Sequence, residues 1–404
     1  MLGIGVLAAR WMGAKEFGAY TFAFTVVGFL RFPAMFGLPN LAVREVSKFE
    51  AVQDWASLKG FNRSSYVLIS TLSVVLGIAT FLVLYFFEIQ NKYTIALAVI
   101  CLPFFSLLSL QSSILRGIHK IVLSLIPEQI IKPGGLLLGL VVLHYATADD
   151  IKAEDAIVFQ VVAIFLGFLV SLYWIWKYLK NYTEEVKPEL KYRNLMKAAL
   201  PFTFMGSLAI INSQFDILML GAMVGEEEVA VYKVVYTLSQ LIFFVMVAVN
   251  TPLSPLISKY HQKKEYFQIN RILILITRTI SVLTFPLLIL FVLSGELLLG
   301  FVFGDEFKVG GTALAIASFG TFFNAITGPA APILNMTGHE KDTLKGTIIV
   351  SLLNLILNPL LIPVYGIEGA AFTTMLCPIL ANSYWLYILN KKTEFKILPF
   401  QSYK

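Results

Sequence analysis

Apolar residues gather along the chain in runs of about 20 or more, with charged and turn-forming residues in the short gaps between them. Eleven runs reach that length: 17–36, 66–87, 93–115, 121–145, 156–176, 198–224, 229–249, 272–293, 310–336, 344–365 and 367–389. Each predicts an α-helix long enough to cross the hydrocarbon core of a bilayer. An apolar stub, 1–9, precedes them and is too short to span. It is expected to be the outer half of a helix whose first half is missing from this chain. The pattern therefore predicts an all-α integral membrane protein of about twelve transmembrane helices, the first one truncated.

The gaps repeat. "GAKEFGAY" (Gly13–Tyr20) returns 212 positions later as "GEEEVAVY" (Gly225–Tyr232), each time between the first two spans of a half. "FGLPNLAVREVSKFE" (Phe36–Glu50) is echoed by "VNTPLSPLISKYH" (Val249–His261), and "LRGIHK" (Leu115–Lys120) by "NMTGHEK" (Asn335–Lys341). Echoes in register make the chain two copies of a six-helix unit. Six is even, so both copies enter the membrane from the same side. Two parallel lobes are expected, related by an axis along the membrane normal, with a central cavity near the midplane. The boundaries read as an N-terminal lobe over 1–176, a charged cytoplasmic linker over 177–197, a C-terminal lobe over 198–390 and a cytoplasmic tail over 391–404. A second polar segment, Asn40–Ser65, carries Leu41, Val46, Phe49, Val52, Trp55 and Leu58 among its charges. It is expected to lie along the headgroups as an amphipathic helix.

Composition agrees. Hydrophobic residues make up 57% of 404 and charged residues 14%, where a soluble domain carries about a quarter charged. The net charge of +6 is therefore no sign of nucleic-acid binding; its distribution is what informs. Counting the stub as span 1 and placing the loops after even-numbered spans inside puts 22 of the 31 Lys and Arg inside, 5 outside and 4 within spans. Positive residues mark the cytoplasmic side, so this orientation follows, in a cell membrane, with the C-terminus cytoplasmic. Cys101 and Cys377 both lie inside apolar runs, and the four histidines are scattered. Neither pattern has metal-ligand spacing, and no Walker loop or GxSxG appears, so no cofactor and no nucleotide hydrolysis are expected.

Chemistry is then sought in the polar groups within spans, because a charge at the bilayer centre costs about 3 kcal/mol or more. Arg31 lies about one turn from the inner end of span 2, and Lys233 about one turn from the outer end of span 8. Either could snorkel to the interface instead. Glu128 and Lys132 are four apart in "LIPEQIIKPGG", which stacks them on one helical face between prolines that loosen the backbone. They read equally as a cavity pair or as a self-neutralising pair in a kinked helix. "INSQFDILMLG" places Asn212 and Asp216 on one face and Gln214 on another. This stripe, like Asn354 and Asn358 in span 11, also fits hydrogen bonding between helices.

Taken in order, "ARWMGAKEFGAY", "GLPNLAVRE", "LRGIHK", "PEQIIKP", "NSQFDILMLG", "VYKVVYTLSQ", "NMTGHEK" and "VYGIEGAAFTT" resemble the polysaccharide flippases of the multidrug/oligosaccharidyl-lipid/polysaccharide exporter superfamily, from Ala8 to about Leu389. The resemblance implies a non-enzymatic transporter working by alternating access. It would move a polyprenyl-diphosphate-linked oligosaccharide from the cytoplasmic to the outer leaflet for cell-surface polysaccharide synthesis. Its implied partners are that glycan, membrane lipids, a glycan polymerase and glycosyltransferases. Family members meet the diphosphate with cavity cations, which carries over to Arg31 and Lys233. Related lipid II flippases also place cations in the first half of span 1, which this chain lacks. Two other classes compete. A drug/cation antiporter of the same superfamily would favour acidic cavity residues. A membrane glycosyltransferase or ligase would need a sizeable outer loop with paired acids, and "DDIKAED" (Asp149–Asp155) has the acids but is short.

Overall fold

The computed structural model describes residues 2–89, 91–146, 151–184, 186–189, 192–250, 260 and 265–393. Residues 251–259 of the second echo, 147–150 at the start of the acidic loop, parts of the charged segment 177–197 and the tail beyond Thr393 fall outside these residues. Among the described residues every regular element is helical, and ten helices are long and apolar enough to cross a membrane. One of the ten, Glu340–Lys392, has 53 residues and turns at Gly366 (φ 56°). Unbroken it would be about 80 Å long, more than twice the hydrocarbon thickness, so it supplies two spans. Contacts divide the chain into two compact units, Met1–Ile210 and Ile211–Lys404.

The first unit begins with α1 (Leu2–Met35), bent at Gly13 (φ 73°). Then follow α2 (Leu38–Ala51), α3 (Trp55–Phe86), α4 (Lys92–Val99), α5 (Leu102–Gly117) and α6 (Ile121–Ile126). A π-helical segment, Pro127–Ile131, leads into α7 (Lys132–Ala146), α8 (Ala153–Thr183) and α9 (Tyr192–Met223). The unit is built around α5, in which 13 of 16 residues are buried. The helix packs against α1, α2, α3 and α8.

The segment Asn40–Ser65 departs from the expectation of a single interfacial helix. The helix α2 stops at Ala51, Gln53 adopts φ 55°, and Asp54 caps α3 by accepting from the Ser57 N–H at 3.0 Å. Residues Trp55–Ser65 are thus the first turns of a spanning helix. The apolar face of α2 (Leu38, Leu41, Ala42, Val46) is buried in a core shared with Ile114 and Leu115 of α5. A Cβ on Gly117 would stand 2.7 Å from Val46. Protein, not headgroups, covers that face.

The boundary between the units falls inside α9. Its first turns pack with the first unit: Leu195 and Ala199 join the core of Leu38, Leu41 and Leu58. A backbone strap, 186–189, crosses the start of α3, where the Glu189 N–H donates to the Ala56 carbonyl at 3.1 Å.

The second unit holds the rest of α9, then α10 (Glu226–Asn250), α11 (Tyr266–Phe303), α12 (Gly311–Ile326), α13 (Ala330–Met336) and α14 (Glu340–Lys392). Here α12 is the central helix, against α10, α11 and α14. It follows α11 as α5 follows α3 and α4. The echo of "LRGIHK" in "NMTGHEK" is also the same backbone turn twice. His119 (φ 59°) and Gly338 (φ 82°) take left-handed conformations, and the next residue donates back to a leucine carbonyl, Lys120 to Leu115 and His339 to Leu334, both at 2.8 Å. In both units many outward side chains are large and apolar, among them Ile78, Val282, Leu293 and Phe301. In water such faces would aggregate; in lipid they are what spanning requires.

Candidate functional site

Arg31 lies in the last turns of α1, half-buried. Its guanidinium stands over the Phe105 ring, 3.8 Å from the centroid, and its Nη2 donates to Ser109 Oγ. Ser109 donates in turn to Glu128 Oε1 at 2.7 Å. Lys132 Nζ lies 4.5 Å from the centroid of the same Phe105 ring. Phe105 and Ser109 are four apart on α5, as are Glu128 and Lys132 on the opposing segment, so two one-turn pairs face each other. The structure therefore brings Arg31, Glu128 and Lys132 together around α5.

The π turn occurs where Pro127 and Pro133 each withhold a backbone N–H. Gln160 of α8, 3% exposed, supports this stretch by donating to the Lys132 carbonyl at 3.2 Å. Beside it opens a cavity of about 210 Å³ lined by Arg31, Ser109, Ser113, Arg116 and Glu128, with Pro39 and Asn40 at the start of α2. Arg116 donates to Ser113 Oγ at 3.2 Å and to the Ser112 carbonyl at 3.3 Å. Arg31 Nε has no hydrogen-bond partner among the described residues. Two guanidiniums and one carboxylate leave the lining with a positive excess, which suits an anion. Arg116 entered the sequence reading only as an inner-side cation, and Phe105 and Ser109 not at all.

A second polar centre lies within the second unit. Asp216 is 4% exposed. Its Oδ2 accepts from the Tyr232 hydroxyl and, at 3.2 Å, from Thr374 Oγ1, while its Oδ1 accepts from the Ile217 N–H at 2.9 Å. Thus α9, α10 and the second half of α14 meet at one carboxylate. Lys233, half-buried, lies within electrostatic reach of it. Asn212, one turn away, donates to Ser351 Oγ at 2.9 Å in the first half of α14. Gln214, about 200° around the helix from Asp216, is half-buried. Asn358 donates to Asn354 Oδ1 at 2.7 Å, both buried in α14. Arg278 is exposed on α11, as an interfacial cation would be. Among the described residues no group of His, Cys, Asp or Glu could hold a metal ion.

The fold and these buried polar clusters define the class: multi-pass helical membrane proteins. The chain aligns with the lipid II flippase MurJ in its inward closed conformation (TM-score 0.76, 17% identity, 96% of this chain and 84% of that one). It aligns also with an inward-facing multidrug resistance transporter of the MATE family (TM-score 0.74, 13% identity, 97% and 94%). Within that class, the chain belongs to the polysaccharide biosynthesis protein family, whose profile matches residues 2–261, and the MatE family profile matches 201–360. It is 25% identical over 383 residues to the "Probable low-salt glycan biosynthesis flippase Agl15" of Haloferax volcanii, covering 91% of this chain and 75% of the relative.

Proposed function

We propose that this protein flips a polyprenyl-diphosphate-linked oligosaccharide from the cytoplasmic to the outer leaflet, exposing its binding groups first to one face of the membrane and then to the other. The observation that carries the reading is Arg31, held within an apolar unit beside a cavity with a second arginine and two serine hydroxyls. A diphosphate is a dense anion, and guanidinium groups match its oxygens in charge and geometry. By their places along the spans, Arg31 serves the inner stage of the passage and Lys233 the outer stage. Glu128, Lys132, Asn212, Gln214 and Asp216 complete the polar groups for headgroup and sugars. With the cell interior negative, each negative charge moved outward gains roughly 2.3 kcal/mol per 100 mV, so the membrane potential assists without ATP.

Asp216 supports a second reading, a drug/cation antiporter, because a buried carboxylate gripped by hydroxyls is a cation- or proton-binding group. Glycan export separates the two. In a strain lacking its own flippase, Arg31→Gln and Lys233→Gln should each be made at normal abundance. At least one should lose most export, while Arg31→Lys retains part of it. Full export from the double variant, together with drug resistance that depends on Asp216, would replace the flippase with the antiporter.

A further inference from the structure

Arg31 already has an anion, and it is held in an unusual way. A guanidinium and a carboxylate that serve only to neutralise each other pair most strongly by two direct N–H···O bonds. Here a hydroxyl stands between them: Arg31 donates to Ser109, and Ser109 gives its only proton to Glu128 at 2.7 Å. The relay satisfies the serine fully and the arginine incompletely, since the buried Arg31 Nε has no partner among the described residues and Arg31 itself lines the adjoining cavity of about 210 Å³. Glu128 also sits in the π-helical turn Pro127–Ile131, between two prolines that each withhold a backbone N–H from the helix. A single extra residue per turn is the kind of irregularity that lets one side chain change position while the rest of the helix stays.

We infer that Glu128, acting through Ser109, is a built-in competitor for the anion that Arg31 binds. The inference rests on the flippase reading and deepens it. Without a ligand, the relay keeps the cation neutralised within an apolar unit, where a lone charge is costly. An arriving diphosphate takes the place of Ser109 on the guanidinium, and Glu128 moves aside with its π turn. Return of Glu128 then displaces the diphosphate for release. Glu128 and Ser109 are positioning residues, which set how tightly the headgroup is held and how soon it leaves. A carrier gains from such a competitor because a site that only attracts its cargo cannot let go.

The test uses the full chain in lipid nanodiscs with three probes: geranylgeranyl diphosphate, uncharged geranylgeraniol, and inorganic pyrophosphate. Removing a competing hydrogen bond to a charged group is expected to tighten diphosphate binding about tenfold in Glu128→Gln. Ser109→Ala, which keeps both charges and cuts only the relay, should tighten it roughly threefold. Geranylgeraniol should bind all variants alike. Equal tightening for pyrophosphate would place the competition at the headgroup, and tightening confined to the prenylated probe would place it at the anchored lipid. Both variants should flip lipid more slowly, with release limiting. Ser109→Ala is the decisive variant, because a purely structural serine, or loss of bulk charge alone, gives no tightening there. Unchanged or weaker binding in Ser109→Ala overturns the relay, and the same result in Glu128→Gln overturns the competition altogether. If Arg31→Gln still binds the diphosphate normally, the flippase reading of Arg31 fails instead.

Discussion

Asp216 and Arg31 sit in spans where a charge is costly, and hydroxyl groups hold both. For Asp216 the hydroxyls come from Tyr232, which is fully buried, and from Thr374, 158 positions away. Removing either donor leaves a buried carboxylate short of a partner, which costs about 1–3 kcal/mol. Tyr232→Phe and Thr374→Val should each lower the thermal unfolding midpoint in detergent, and the pair should couple non-additively because both bonds end on Oδ2. Midpoints equal to wild type would mean that the carboxylate is not held as described. The same residues show what a sequence can reveal at this scale. Arg31, Glu128, Lys132 and Asp216 stood out because charges are rare in apolar runs. Ser109, Phe105, Tyr232 and Thr374 did not, because hydroxyls and aromatic rings are ordinary in membrane helices. Ser109 meets Arg31 from 78 positions away and Thr374 meets Asp216 from 158, and only tertiary contact discloses them.

Helices approach one another closely where glycine allows it. A Cβ on Gly320 of α12 would lie 2.4 Å from Met375 Cα and 3.0 Å from its carbonyl oxygen, both backbone atoms of α14 that cannot step aside. Gly320→Ala should destabilise the protein by about 1–3 kcal/mol, as overpacking does. Gly134→Ala, with nothing within 4 Å of the added methyl, should be neutral or stabilising, and parallel melts of the two variants check the contrast. On Gly60 of α3 the added Cβ would lie 1.9 Å from the Glu189 carbonyl oxygen. Gly60→Ala should lift the 186–189 strap and speed its cleavage in limited proteolysis; unchanged cleavage would show that the strap is held elsewhere. The existence of the spans was legible in hydropathy, but several ends were not. The helix α8 runs to Thr183 and α11 covers Tyr266–Phe303, beyond the apolar runs 156–176 and 272–293. Hydropathy marks where the bilayer ends, and a helix continues into water as long as its backbone bonds persist. The break after Ala51 hid for the converse reason: helical spacing of apolar residues carries across a three-residue turn, and only the Asp54 cap marks it.

For the whole molecule, the two-unit architecture and the repeated inner turn were readable because turn residues recur in register. The sidedness rests on the lysine and arginine distribution. Native Cys101 and Cys377 are buried and should stay silent toward an impermeant thiol reagent. Cysteines placed at exposed Glu227 and Asp305 should react from outside intact cells, and those at exposed Lys48 and Lys341 only after permeabilisation. Labelling of the Lys48 or Lys341 site in intact cells would invert the orientation. The central claim, that Arg31 carries a lipid diphosphate across, is tested most directly by reconstitution. Purified protein in liposomes containing a fluorescent polyprenyl-diphosphate disaccharide should expose the outer-facing and then the flipped inner-facing lipid to a quencher added outside. The account predicts that wild type brings nearly all of the label within reach, that Arg31→Gln leaves the inner half protected, and that Arg31→Lys falls between. Wild-type flipping by Arg31→Gln would contradict it.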